Sequence, residues 1–324
     1  MREVLYLSRA DVEALGPSPS EIVRLMEELF RAKAAGRVEL PPKPGIHPRP
    51  DAFIHAMPAY IASLDAAGLK WVAGYPGNSV RGLPYIHGLL LLNDAETGVP
   101  VAIMDATWIT AMRTAAVSAL AALYLAAPGR ITLAILGLGV QARSHLQTMA
   151  AVLAVAEVRA YDRDPARTAT FVRDAVQLAP GVSVVPCDTP AQAVRGATVI
   201  VTAGPIARNP RPSIRPEWLA DGSLLLPIDF DSMVTPEAMA ACRAFIVDDA
   251  GQYAYYRSIG YFASAPVAPE GELGDVIAGR LAGRTRPEER ITSVNLGLAM
   301  EDVGLGYHLY RAAIERGVGT RLPL

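Results

Sequence analysis

The stretch "ITLAILGLGVQARSHLQTM", residues 131–149, constrains this 324-residue chain more than any other part of it. An apolar run, a glycine turn and the first turns of a helix follow one another without a break. Within it, "GLGVQA" (137–142) fits the pattern G-x-G-x-x-A. Gly137 permits a tight turn, Gly139 lets the backbone approach a pyrophosphate, and the small Ala142 allows helix and strand to pack closely. The phosphate charge would rest against the positive end of the helix. Gly137, Gly139, Val140, Gln141 and Ala142 are therefore candidate cofactor contacts.

The turn is answered 25 positions after Gly137 by Asp162, at the end of "EVRAYD". A carboxylate there suits the 2′-hydroxyl of an adenosine ribose and repels a 2′-phosphate, which favours NAD. Arg163 and Arg167 beside it keep NADP open. Alternation continues with helices from about 165 and 189 between "VSVVPC", "ATVIVTAG" and "SLLLPID". This rhythm implies a parallel, right-handed, doubly wound sheet. Thr202 ends its fourth strand, at the crevice where ligands bind, and Asp229 and Asp231 follow the next.

The first 130 residues read differently. "REVLYLS" is a strand, and residues 18–36 form an amphipathic helix with Ser20 as N-cap. Five prolines between residues 41 and 50 make a stiff loop. "FIHAMPAYI", "LKWVAGYPG", "IHGLLLLND" and "VAIMDA" then form a β-meander, packed by the early helix. Arg113 stands at the start of an apolar helix over 114–127. The tail over 291–317 reads as one long apolar-striped helix that returns to this first domain.

Three cations in the first domain lie beside apolar or turn sequence: Lys43, Lys70 and Arg113. A charge next to an apolar helix is expensive unless paired, and a bidentate carboxylate suits the fork of Arg113. A net charge of −2 argues against nucleic acid as the main partner. No run of some 18 consecutive apolar residues predicts a membrane span. Cys187 and Cys242 lie far apart, which fits a cytoplasmic protein with neither disulfide nor zinc framework. No HExxH pattern or paired His/Asp cluster predicts a metal, and no G-x-S-x-G elbow predicts a hydrolase.

Several segments together resemble the ornithine cyclodeaminase/μ-crystallin family: "MPAY" (57–60), "LKWVAGYPGNSVRGLP" (69–84), residues 89–126, "GLGVQARSHL" (137–146) and "ITSVNLGLAMED" (291–302). The resemblance implies an α/β protein with a Rossmann-type nucleotide domain over 116–299. A smaller α+β substrate and dimerisation domain over 1–115 would be completed by a C-terminal helix at 300–324, in a homodimer. Lys70 matches the family's substrate lysine and Arg113 its carboxylate-binding arginine. Lys43 falls near a further cation, with Arg49 as competitor. Asp229 matches the aspartate that faces the substrate amine, with Asp231 as the nearby alternative. Ser293 and Asn295 resemble a segment near the nicotinamide.

Family cyclodeaminases carry an acid two residues before the "MP" pair to hold a distal ammonium; here that position is His55. This departure favours net redox chemistry on a small L-amino acid, its 2-oxo acid or a cyclic imine, as in the alanine dehydrogenase and ketimine reductase branch. Cyclodeamination of ornithine to proline and ammonia, and a non-catalytic NAD(P)-binding role, are the alternatives.

Overall fold

The computed structural model describes residues 2–262, 265 and 268–324. The chain divides into two compact units, Met1–Arg113 with Gly297–Leu324, and Thr114–Leu296.

The first unit holds β1 (Glu3–Leu7), α1 (Arg9–Leu15), α2 (Pro19–Ala34), β2 (Val38–Glu39), β3 (Gly45–Ile46), β4 (Phe53–Ile61), β5 (Ala66–Gly74), β6 (Ile86–Asp94) and β7 (Pro100–Asp105). It also takes the start of α3 (Thr107–Leu125). After the second unit come α10 (Ala299–Arg316) and β16 (Thr320–Pro323). The sheet order is β16-β1-β7-β6-β5-β4-β2, with β3 on β4. It is mixed, since β1 runs parallel to β7 and the other pairs are antiparallel. The period-two alternation aligns one inward row across four strands: Met57, Lys70, Leu90, Met104. All four are buried. A lysine in that row is the first sign of a site.

Several local expectations need correction. The N-cap of α2 is Ser18, not Ser20: its hydroxyl accepts from the Glu21 N–H while the Glu21 carboxylate accepts from the Ser18 N–H. Pro19 then occupies the first helical position, where its missing donor costs nothing. The sheet is covered by α10, which packs on β4, β5 and β6, and α2 packs on α10. The tail is not one helix. Ile291, Thr292 and Val294 form a buried strand, and Gly297 (φ +83°) turns the chain before α10 begins. That helix stops at a left-handed Gly317, and β16 follows instead of a helix to 324. Arg113 lies in the second turn of α3, which starts at Thr107. Among the described residues α3 is the one helix long and apolar enough to cross a membrane, and 78% of its most apolar stretch is buried, as in a core helix.

The second unit contains β8 (Ile131–Leu136), α4 (Val140–Val152), β9 (Val155–Tyr161), α5 (Pro165–Leu178), β10 (Ser183–Pro186), α6 (Pro190–Val194), β11 (Val199–Thr202) and β12 (Leu224–Pro227). It continues with α7 (Pro236–Ala240), β13 (Ala244–Val247), α8 (Ala250–Ser258), β14 (Gly271–Glu272), α9 (Leu273–Ile277) and β15 (Ile291–Val294). The order is β10-β9-β8-β11-β12-β15-β13-β14, parallel throughout. Its central strands are buried along their whole length, as a sheet covered on both faces requires. The order reverses between β8 and β11, so the turns after those two strands flank the switch point where such folds bind ligands.

Candidate functional site

In the first unit, Lys43, Lys70 and Arg113 come together. Arg113 donates from Nε to Asp302 Oδ1 (3.0 Å) and from Nη1 to Glu301 Oε2 (2.7 Å). Lys70 Nζ sits 2.7 Å from Asp302 Oδ2 and donates to Thr110 Oγ1 at 3.3 Å. Lys43 Nζ donates to the Gly297 carbonyl (3.1 Å). A Cβ at Gly297 would lie 2.4 Å from Arg113 Nη1, so this glycine lets the guanidinium lie against the backbone that Lys43 also grips. Arg49 is exposed and donates to the Pro48 carbonyl, outside the cluster.

Glu301 and Asp302 were not among the residues singled out from sequence. They stand in the first turn of α10, where the helix dipole favours carboxylates. The available signal was two adjacent acids in an otherwise apolar segment, as costly to bury alone as the arginine they pair with.

Burial, and then the neighbouring Arg113, push Lys70 down to about 7, while Asp302 works the other way. Burial raises the Glu301 carboxyl, against the pull of Arg113. His55, stacked on Phe53 with ring centroids 4.3 Å apart, is pushed down to about 3 by burial and by Lys43, His47 and Lys70. It is therefore a neutral imidazole at pH 7.

In the second unit the glycine turn follows β8. Gly137 adopts φ +91°, and a Cβ on it would meet the Ala203 carbonyl at 2.7 Å. Gly139 caps α4 with no side-chain bond, and a Cβ there would meet nothing within 4 Å. The space over the helix N-terminus is thus open. Val140 is exposed in the first turn, Gln141 Oε1 is buried with no hydrogen-bond partner, and Ala142 is fully buried. Asp162 accepts from the N–H groups of Leu138 (2.8 Å) and Asp164 (2.9 Å), which fixes its charge beside the turn. Arg163 is exposed. Arg143, which sequence reading passed over, donates to the carbonyls of Leu138 and Gly139 (3.1 Å each) and is anchored on Asp174 (2.6 Å). It ties down the carbonyls of the turn. An open glycine and unsatisfied N–H groups at the start of α4 fit a dinucleotide pyrophosphate.

Asp229 lies just past β12 and is fully buried. Its Oδ1 accepts from the Thr202 hydroxyl and its Oδ2 from the Gly204 N–H (3.1 Å). Burial raises it to about 7, only partly opposed by those two bonds. Thr202, expected as a cofactor contact, is thus turned to Asp229. Asp231 is half-buried and accepts from the Phe262 N–H instead. Ser293 is buried in β15 with its Oγ 3.5 Å from Asn295 Oδ1. Asn295 Nδ2 is buried with no partner and is the freer donor. Among the described residues no group of three or more His, Cys, Asp or Glu side chains could hold a metal ion.

Residues 2–316 match the model of the ornithine cyclodeaminase/mu-crystallin family. The nodulation efficiency protein NfeD of Rhizobium meliloti is 36% identical, covering 98% of both chains. An archaeal alanine dehydrogenase dimer solved with bound NAD is 30% identical with a TM-score of 0.86, covering 100% of both chains. The Δ1-pyrroline-2-carboxylate reductase of Thermococcus litoralis, solved with NADH and L-proline, is 28% identical with a TM-score of 0.87, covering 98% of this chain and 100% of its own.

Proposed function

Because the chain belongs to the ornithine cyclodeaminase/mu-crystallin family, we propose that it is an NAD(P)-dependent oxidoreductase acting at the α-carbon of a small L-amino acid or its imine, open or cyclic. The observation that carries this reading is the buried charge cluster. Three cations, Lys43, Lys70 and Arg113, are set against two carboxylates, Glu301 and Asp302. Arg113 and Lys43 both lie against the Gly297 backbone, and two buried cations gathered at one point suit an α-carboxylate.

Arg113 and Lys43 bind and orient that carboxylate. NAD, when bound, supplies the hydride acceptor or donor. Asp229, ionised above about pH 7, accepts the proton that the amine gives up as it becomes an imine. Lys70 carries a proton that it can release or regain in the same pH range. The turn around Gly137, Gly139 and the first residues of α4 holds the pyrophosphate, and Asp162 the adenosine ribose, which favours NAD over NADP. The NAD and NADH bound to the two solved relatives support this. His55 supports net redox chemistry over cyclodeamination of a diamine, since a neutral ring beside Lys43, His47 and Lys70 brings no negative charge to a second ammonium.

An absorbance assay at the reduced-nicotinamide band tests the reading. L-Alanine, L-ornithine, pyruvate with ammonia, and five- and six-membered cyclic imines are tried with both cofactors. Net cofactor turnover with one of them is the expected result. Proline and ammonia formed from ornithine without net turnover would replace it with cyclodeamination.

Gly139→Val should separate cofactor binding from folding. The added Cβ meets nothing within 4 Å and the backbone is extended (φ −83°, ψ −153°), so the melting temperature of the cofactor-free protein should change little. NADH affinity, read by fluorescence titration, falls about tenfold or more, some 1.4 kcal/mol.

We further propose a cytoplasmic homodimer. The dimeric alanine dehydrogenase supports it, as does the outer face of the first unit's sheet. There Trp71 and Leu89 are direct cross-strand partners, 47% and 51% exposed. Leu89→Arg is expected to yield monomers by sedimentation while NADH still binds; an unchanged dimer assigns the interface elsewhere.

A further inference from the structure

Of the thirty lysines and arginines in the chain only three are lysines: Lys33, Lys43 and Lys70. Two of the three lie in the buried cluster. A sequence that uses arginine almost everywhere else keeps two of its three lysines in one buried cluster, beside Arg113. Arginine stays protonated in any protein environment, whereas a buried lysine can exchange its proton near neutral pH. Holding such a lysine in a useful state demands a fixed counter-charge.

We propose that Asp302 is a positioning residue for the proposed reaction: its carboxylate, shared between Lys70 and Arg113, keeps Lys70 protonated until the reaction draws on it and locks the Nε edge of Arg113, leaving Nη2 for the substrate carboxylate. The geometry is direct. Asp302 Oδ2 lies 2.7 Å from Lys70 Nζ, Oδ1 accepts from Arg113 Nε at 3.0 Å, and both Asp302 and Lys70 are fully buried. Glu301, on the same helical turn, takes Arg113 Nη1 at 2.7 Å, and its other oxygen is buried with no hydrogen-bond partner.

The groups facing Lys70 come from every neighbouring element. Asp302 and Glu301 project from α10, Arg113 and Thr110 from α3, Lys43 from the proline loop and His55 from β4. Of these, Asp302 is the acid in contact with the ammonium. Arg113 and Lys43 both disfavour that ammonium. Without Asp302, Lys70 would lose the carboxylate that opposes the effect of Arg113 and Lys43 on its ammonium. Burying five charged groups is a poor route to stability, because desolvation offsets most of the attraction between them. Control of a proton gives the cluster a purpose that packing does not.

The proposal rests on the reading of the cluster as a substrate site, but its test needs no substrate. With only three lysines, protein labelled with [15N]lysine gives three side-chain signals, and Lys70→Met assigns one of them. In ligand-free Asp302→Asn protein the Lys70 midpoint is expected to fall by roughly one to three pH units, because the carboxylate that favours the ammonium is gone. Lys33 should not move. An unchanged Lys70 midpoint in folded Asp302→Asn protein overturns the proposal.

Should that variant fail to fold, the unaltered protein decides. The [13C]carboxyl signal of Asp302 must shift in the same pH step as Lys70 Nζ, and independent steps overturn the proposal. A coupled pair without turnover of any amino acid or imine would defeat the functional reading alone. Turnover without coupling would defeat this one alone.

Discussion

Arg113→Ala is expected to lower kcat/KM for the amino acid or imine by roughly 10²–10³-fold. A buried charge-assisted bond to a substrate carboxylate is worth about 3–4 kcal/mol, and each 1.36 kcal/mol is a factor of ten. The loss should sit mainly in KM, because the proposed clamp would orient the substrate before the hydride moves. The substitution also strips Glu301 of the bond to Nη1 and Asp302 of one of its two cations. Removing one partner of a buried pair costs about 3–5 kcal/mol, so thermal unfolding should shift clearly downward. Arg113→Lys separates the two effects. It keeps the charge and loses the fork, so stability should recover more than KM does. Unchanged kinetic constants in either variant would remove Arg113 from the substrate site.

Asp229→Asn carries the second large effect. General acid–base groups contribute about 10²–10⁴-fold, and kcat is expected to fall within that range while NADH affinity holds. The limb of the pH–rate profile near 7 that belongs to Asp229 should vanish with it.

Stability moves the opposite way, and its sign follows from linkage. The folded Asp229 carboxyl is raised from the ordinary 3.8 to about 7, so the native state binds this proton more tightly than the unfolded chain does. Its contribution is therefore lost as pH rises from about 4 to about 7 and stays lost above. Asn has no proton to lose. Denaturant melts at pH 8 should find Asp229→Asn more stable than the parent, with the difference shrinking towards pH 4. Full turnover in this variant would assign the proton to another group.

The resemblance pointed to Lys70, Arg113 and Asp229 because the motifs that carry these residues are local in sequence. The β4 and β6 boundaries were legible too, since short strand-like runs set apart by turn signals read as strands. What stayed hidden was non-local or weakly patterned. The short, polar α1 shows no apolar stripe, although Ser8 and Asp11 form a capping box that marks its start. The tail deceived because apolar residues in a buried strand and in a covering helix look alike until a left-handed glycine separates them. The acids that neutralise Arg113 lie 188 and 189 residues away, and no local period reports a bond of that span.

The order of strands has a bearing on biogenesis. β15, near the end of the chain, is slotted between β12 and β13 in the second unit's sheet. The next residues supply α10 and β16 to the first unit, where β16 pairs with β1 at the opposite terminus. Neither unit can close during synthesis until about the last tenth of the chain has emerged from the ribosome. Before then β12 and β13 lack the strand that joins them, and the inward row around Lys70 lies uncovered. Unpaired strand edges and bare apolar faces of this kind invite association between nascent chains. A chain that stopped just before β15 would lack a central strand of one sheet and the covering helix of the other at once.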